Sequence, residues 1–440
     1  MNLNEMKTLL RETGVVGAGG AGFPSYAKLT DQADIFILNC AECEPLLKVH
    51  RQVLEAHTTE VLNAMSEIVR QSGAKRGIIA IKEHYRSALQ ALEAEIGEHP
   101  GLSVHKLASV YPAGDELILI KEVTGRVVQP GKLPMSQGVV VCNVESVYNI
   151  HRAMEGYNVT DKYVTVAGEV KSPKTLLVPL GTRISELIEA AGGLSCEDVE
   201  YISGGPMMGK KISPFDVVTK TTNAIIVLPQ NHTVILNKYR NAQISLRRAM
   251  SVCCQCGSCT ELCSRHVMGY PVEPHLVMRV LSNGGRGDEE IIQGSLYCSG
   301  CGLCETFSCP QDLSPRVMID AMKTLAREQG RKPPQDLKAD LNVQDADLKK
   351  VSVERLTMRL GLKKYDVLAP LHEEFETKTV RIPLSQHLGA PAEPVVSVGD
   401  RVQKGDLIAM AKEGALSVNI HASIDGTVKS VQTKYIQIQR

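Results

Sequence analysis

The chain has 440 residues, 43% of them apolar and 22% charged, with 49 basic side chains against 49 acidic ones. That length suggests about three domains or more, the composition excludes a disordered chain, and the charge balance excludes whole-chain attraction to nucleic acid or to an anionic membrane. No stretch approaches the ~18 apolar residues of a membrane span, and Met1 to Arg11 lacks the apolar core of a signal peptide. A soluble, cytoplasmic protein is expected, in which thirteen cysteines favour metal ligation over disulfides.

Leu3, Met6 and Leu10 make a short amphipathic first helix, read as packing on its own domain, with docking to a larger assembly as the alternative. Residues 1–155 read as a Rossmann-like α/β domain. Apolar runs at Ile35 to Leu38, Gly77 to Ile81 and Gly138 to Val144 alternate with helical patterns such as Leu54, Val61, Met65 and Ile68. Its loops are where a cofactor is expected. Between Gly14 and Gly22 five of nine residues are glycine, which lets backbone N–H groups close round a phosphate; a tight structural turn is the plainer reading. Cys40 and Cys43 form a C-x-x-C pair that also reads as a redox dithiol.

Residues 161–232 read as a β-grasp (SLBB-like) unit. Tyr163 to Val170 alternates as a strand, Leu176 to Val178 makes a second, and a helix from Ile184 stops at Gly192-Gly193. Residues 240–330 read as a helical domain carrying two cysteine runs. Cys253, Cys256, Cys259 and Cys263 have the C-x2-C-x2-C-x3-C spacing that wraps a [4Fe–4S] cube; in Cys298, Cys301, Cys304 and Cys309 the last gap is one residue longer. Three closely spaced cysteines cap three irons, and the fourth ligand usually comes from the other run. The expected sets are therefore Cys253, Cys256, Cys259 and Cys309 for one cluster, and Cys298, Cys301, Cys304 and Cys263 for the other. Cys254 is left as a bystander. Structural zinc is the alternative, although zinc knuckles usually pair two C-x2-C turns across a longer loop. After Pro333-Pro334 a charged helical connector is expected over 331–364, and 365–440 reads as short strands and turns of a barrel-sandwich type. The tip candidates Gly414-Ala415-Leu416 have only Lys412 nearby, so this barrel is read as a packing or docking module with no swinging arm.

The glycine loop stands in the same order as Lys28, Asn39-Cys-Ala-Glu42-Cys-Glu44-Pro45, Gly114-Asp115-Glu116 and Asn143-Val-Glu145. With the β-grasp unit and both cysteine runs, this combination resembles the RnfC proteins and the flavin-binding subunit of respiratory complex I. The resemblance implies FMN, two [4Fe–4S] clusters and NADH as electron donor. It places Gly17, Gly19, Gly20 and Gly22 on the FMN phosphate and ribityl chain, with Lys28 offsetting phosphate charge. Asn39, Glu42, Glu116 and Asn143 would bond or orient the flavin, Glu42 and Glu116 being the candidate catalytic residues, and Phe23 and Glu44 would meet the nicotinamide. A barrel at the C-terminal end and the longer second run resemble instead the cobalamin reductase family of propanediol-utilisation microcompartments. That layout implies a two-to-one electron converter taking cob(III)alamin and cob(II)alamin to cob(I)alamin. Its implied partners are cobalamin or a corrinoid adenosyltransferase, and a microcompartment shell protein, within a microcompartment. The rival readings are an RnfC-like module serving another acceptor and a non-enzymatic iron–sulfur relay or scaffold. None of the twelve histidines has Asp two positions before it, so no Asp-x-His cobalamin-ligating motif is present.

Overall fold

The computed structural model describes residues 1–284, 289–343 and 346–440. The first domain is built on parallel strands β1 (Ile35–Cys40), β2 (Arg76–Lys82), β3 (Leu102–Leu107) and β4 (Val139–Asn143), in the order β3-β2-β1-β4. β1, β2 and β4 are apolar along their length because both faces are covered. Phe36, Leu38, Ile79 and Ile81 enter one core with side chains of helices α1 (Leu3–Glu12), α2 (Val49–Ala56), α3 (Thr58–Ser72) and α5 (Val144–Met154). Ile35, Ile37, Ile78 and Ala80 enter the other, beneath α4 (Glu116–Thr124). The strand order reverses between β1 and β4, where Asn39 and Asn143 are register partners at the carboxyl ends. That crevice is where open α/β sheets bind ligands.

Two features of this domain differ from the expectation. The stripe from Leu54 to Ile68 is shared by two helices that break at His57, and β3 carries no apolar run because its edge position leaves Ser103 exposed and most of its other residues half-buried. Met6 and Leu10 are fully buried, so α1 packs on its own domain, capped by Asn2 and Glu5 in a capping box.

In the second domain β5 (Asp161–Gly168) pairs antiparallel with β6 (Lys174–Pro179) and parallel with β7 (Ala224–Pro229), inside a six-stranded sheet. Leu371–His372 reaches back to add the edge strand beside β6. The third domain packs α6 (Ala242–Val252), α7 (Pro274–Ser282) and α8 (Pro315–Glu328) around Ala249, Met278 and Met318. The helical connector expected over 331–364 is helical mainly in α9 (Val353–Arg359), while Val351–Ser352 pairs with Val110–Tyr111 of the first domain. Among the described residues the first buried apolar side chains after Ala326 are Val351, Leu356 and Leu360, so the segment before them has little to bury on a helical face. The last domain closes two small sheets over Val380, Ile382, Ile408, Ile420, Ile436 and Ile438. Its Lys412 carbonyl accepts from Arg11 at 3.0 Å, so the hairpin tip packs on the first domain.

Two buried lysines join the domains. Lys162 pairs with Glu145 and donates to Asn223 Oδ1 (2.8 Å), with both charged side chains 1% exposed. Lys220 donates to the carbonyls of Gly14 (2.6 Å) and Asn419 (3.3 Å), where the first, second and last domains meet; burial pulls its pKa down to about 7. Replacing Lys162 by Met strands a buried Glu145 charge, and urea unfolding is expected to lose about 3–5 kcal/mol. Lys404→Met removes a bridge to Asp161 whose lysine is 47% exposed, and is expected to cost under about 1 kcal/mol in the same measurement.

Candidate cofactor sites

The glycine loop lies over the β1/β4 crevice. Its neck is closed by Gly17 N–H donating to Phe23 O (2.8 Å) and by Val16 bridging Pro24, while Ala18 N–H donates to Ser146 Oγ (2.8 Å). The glycines divide by role. A Cβ on Gly19 would stand 3.3 Å from Asn223 Nδ2 and 3.5 Å from Asn143 Nδ2, and Gly20, at φ +69°, faces open space. Gly22, also at φ +69°, is instead packed: a Cβ there would meet Thr221 at 2.8 Å and the Gln386 carbonyl at 3.2 Å. Gly19 and Gly20 thus leave backbone free for a phosphate, while the Gly17 N–H is spent on Phe23 O in closing the neck. Gly22 lets the second and last domains close against the loop. Phe23 is half-buried beside it.

The polar side chains expected at the site surround the crevice. Asn39 Nδ2 donates to Gly114 O and its Oδ1 accepts from Ala41 N–H, both at 3.0 Å, which pins the turn after β1. Lys28 Nζ donates to Glu116 Oε1 (3.0 Å) and Val141 O (3.1 Å). Burial disfavours the Lys28 charge, but Glu116 prevails and its pKa is raised. Glu116 opens α4, whose cap Asp115 accepts from Leu117 and Ile118 N–H and holds Arg265 bidentately at 2.8 Å. Glu44 accepts from the Met207 and Met208 N–H groups (2.9 and 2.8 Å), so it grips a turn of the β-grasp domain. Cys40 is buried and Cys43 half-buried; burial drives both pKa values up, Cys43 to about 12, which removes a thiolate from the C-x-x-C pair near neutral pH.

A histidine outside every motif ties the site together. Asn143 caps α5 with Oδ1 accepting Glu145 N–H (2.9 Å), so its Nδ2 donates to His50 Nε2, also 2.9 Å away. This network assigns His50 as a neutral imidazole with its proton on Nδ1, and burial lowers its pKa in the same sense. Nδ1 lies 4.0 Å from Glu42 Oε1, which accepts His50 backbone N–H at 3.3 Å. Glu42 Oε2 is buried without a partner. An acceptor lacking a donor, beside a loop of free backbone, fits a flavin mononucleotide, which brings both an N–H and a phosphate.

The cysteines form two groups, each drawing on both runs. Cys253, Cys254, Cys256, Cys259 and Cys309 all line one cavity, Cys254 and Cys256 at exposed positions, so the geometry alone does not set Cys254 apart. Burial first, then Cys309, Cys256 and Cys253, push Cys259 up to about 12. Cys263 is pushed up to about 12 by burial and by Cys301 and Cys298, and Cys304 is raised by burial and by neighbours that include Cys298, Cys301 and Cys263. Among the described residues no three His, Cys, Asp or Glu side chains converge as a single metal ion demands. Thiols spread round a cavity suit a four-iron cube better. Arg265, two residues beyond Cys263, is the Asp115 partner, and Tyr111 O–H donates to Cys301 O at 2.7 Å, so the second group is tied directly to the crevice.

Comparison with known families matches residues 10–152 to the Nuo51 FMN-binding domain, 163–211 to the SLBB domain, 252–314 to the 4Fe-4S dicluster domain and 362–440 to the RnfC barrel sandwich hybrid domain. That set defines a flavin and iron–sulfur oxidoreductase. Over 445 residues the chain is 40% identical to the cobalamin reductase PduS of Salmonella typhimurium, covering 100% of this chain and 97% of that protein. It is 40% identical to PduS of Citrobacter freundii over 436 residues, 98% and 95% of the two chains. The chain belongs to the PduS cobalamin reductase family. A component of the Na(+)-translocating ferredoxin:NAD(+) oxidoreductase complex of Acetobacterium woodii is 32% identical over 274 residues, 61% of this chain and 59% of that protein. The fold is shared with an NAD+-reducing [NiFe]-hydrogenase in the air-oxidized state, with TM-score 0.50 and 18% identity over 82% of this chain and 66% of that one.

Two measurements check the geometry. Cys254→Ser is expected to retain full iron content and Cys256→Ser to lose one cube, read by iron per chain after anaerobic reconstitution; equal losses refute the assignment. His50→Leu leaves Asn143 Nδ2 unpaired and Glu42 unsupported, and is expected to weaken FMN binding about tenfold, ~1.4 kcal/mol, in a titration of flavin fluorescence quenching, with iron unchanged.

Proposed function

We propose that this chain oxidises NADH and delivers the electrons one at a time to the cobalt of cobalamin, taking cob(III)alamin and cob(II)alamin to cob(I)alamin. Bound FMN supplies the exchange between a hydride and single electrons, and two [4Fe–4S] clusters supply one-electron transfer. The observation that carries the reading is the Asp115–Arg265 pair, a bidentate contact that locks the crevice to the cysteine loops, in a chain that matches cobalamin reductases along its whole length.

The residues divide the work. Gly19 and Gly20 present backbone to the phosphate, Gly17 closes the neck of their loop on Phe23, and Lys28, held by Glu116, adds positive charge. Asn39 and Asn143 fix the ends of β1 and β4. Glu42 offers its unpaired oxygen to a ligand N–H, with His50 bracing the other. Glu116 holds Lys28 and Asp115 holds the cluster domain, so the start of α4 serves both sites. Phe23 is assigned to stacking on the nicotinamide; Glu44 reaches it only by releasing the Met207 and Met208 N–H groups. Cys253, Cys256, Cys259 and Cys309 are assigned to one cluster and Cys298, Cys301, Cys304 and Cys263 to the other. Cobalt(I) is readily reoxidised, which favours handover to a corrinoid adenosyltransferase inside a microcompartment, with a shell protein as a further partner. Among the described residues no helix is long and apolar enough to cross a membrane.

The test is anaerobic: protein reconstituted with iron, sulfide and FMN receives NADH while flavin and cobalamin spectra are followed. Cobalamin reduction that needs both FMN and iron supports the proposal. Flavin bleaching with cobalamin no faster than a free-flavin control refutes the acceptor. Lys28→Ala is expected to lose FMN on desalting while keeping its iron, and wild-type FMN retention in that variant removes the phosphate role.

A further inference from the structure

The longer gap of the second cysteine run has a structural outcome that ligation does not use. Four residues separate Cys304 from Cys309 where three separate Cys259 from Cys263, and the chain takes up the extra one as a π-helical turn over Cys304–Ser308. Such turns recur at functional sites. Here Ser308 Oγ donates to Leu303 O (3.0 Å) and Glu305 turns inward to Arg316 (2.6 Å), while the half-buried Phe307 packs its inner side on the core around Leu303 and Leu356 and lines a cavity beside α9.

Between this turn and α9 lies an open cavity of about 660 Å³ lined by Phe307, Cys309, Pro310, Arg355, Met358 and Arg359. Cys309 and Pro310 also line the cavity that holds Cys253, Cys256 and Cys259. The two cavities therefore share a wall, and that wall contains an assigned cluster ligand. Arg355 stands over the Phe307 ring, 6.0 Å from its centroid, and Arg359, one turn on, shares its face of α9. Among the described residues neither arginine makes an ion pair. Leu356 and Thr357 are buried on the opposite face, so α9 is anchored while Arg355 and Arg359 stay exposed, Arg355 over the Phe307 ring.

We propose that this cavity is the docking site for the corrinoid that takes the electron. The inference rests on the cobalamin-reductase reading above. A corrinoid combines a broad macrocycle with apolar faces and, in cobalamin, a nucleotide loop carrying one phosphodiester charge. Phe307, Pro310 and the exposed Met358 thioether offer the macrocycle a soft apolar platform, and Arg355 and Arg359 offer the phosphodiester charge-assisted donors. No histidine lines the cavity, so it offers cobalt no imidazole, which suits a cobalt(I) that carries no axial ligand. One electron passes from the cluster assigned to Cys309 to cobalt(II), giving cobalt(I) with loss of its axial ligand, and each NADH, oxidised through FMN to NAD+ and a proton, supplies the two electrons for two such reductions. Because electron transfer decays steeply with distance, a shared wall is where an acceptor is best placed.

The experiment measures equilibrium binding of two probes to the reconstituted holoprotein, cyanocobalamin and aquocyanocobinamide, which lacks the phosphodiester loop. Phe307→Ala is expected to weaken both about tenfold. Arg359→Glu, a change on an exposed helix face that spares the fold, is expected to weaken cyanocobalamin about tenfold and cobinamide less than twofold. Iron per chain and thermal midpoint check that each variant is folded. Wild-type affinity for both probes in the Phe307→Ala, Arg359→Glu double variant overturns this site; if that variant still reduces cobalamin with NADH, the proposed function stands and docking lies elsewhere. Failure of wild-type holoprotein to bind either probe overturns the site, and failure to reduce cobalamin as well overturns the function.

Discussion

The bidentate contact between Asp115 and Arg265 carries more of this molecule than its size suggests. Asp115 caps α4, and the cap sets the direction in which Glu116 leaves the helix to meet Lys28. Arg265 follows Cys263 by two residues, and its side chain is only 9% exposed. One planar fork therefore positions a residue of the nucleotide crevice and a loop of the second cysteine group. Planar, paired hydrogen bonds resist rotation as well as separation, which a lysine in place of Arg265 would not reproduce.

A second constraint is the crowding of the glycine loop. Its entrance at Gly14 lies against Lys220 and Asn419, and its exit at Gly22 against Thr221 and Gln386. Lys220 meets carbonyl oxygens in place of a carboxylate, and its lowered pKa follows from burial alone. A loop that must stay open to a phosphate in the middle is thus clamped at both ends by other domains. This explains how a barrel at the far end of the chain belongs to the nucleotide site: Asn419 N–H also donates to Arg11 O at 3.0 Å, directly onto α1.

Much of the site is legible from local spacing. Gly17, Gly19 and Gly20 need freedom from side chains, and C-x2-C turns need short loops, so both leave marks within a dozen residues. His50 leaves none, since an isolated histidine in a helical stretch is ordinary; its role depends on Asn143, 93 residues away. β3 is hidden by its half-polar edge. The connector differs from its expected helix because charge and two prolines say where a chain is solvated, and only the contact of Val351 with Tyr111 decides where it runs.

The chemistry this protein is equipped for is written in its local sequence, because thiolate spacing and glycine placement are set by bond lengths and steric exclusion over a few residues. The extra residue after Cys304 is written there too. What that residue does is settled by packing alone. The π turn, the platform at Phe307 and the arginines of α9 come from segments about 50 residues apart, and nothing short of packing them against a common wall brings them to one cavity. The same holds for the neutral His50, whose tautomer is set by a helix cap on another strand's end.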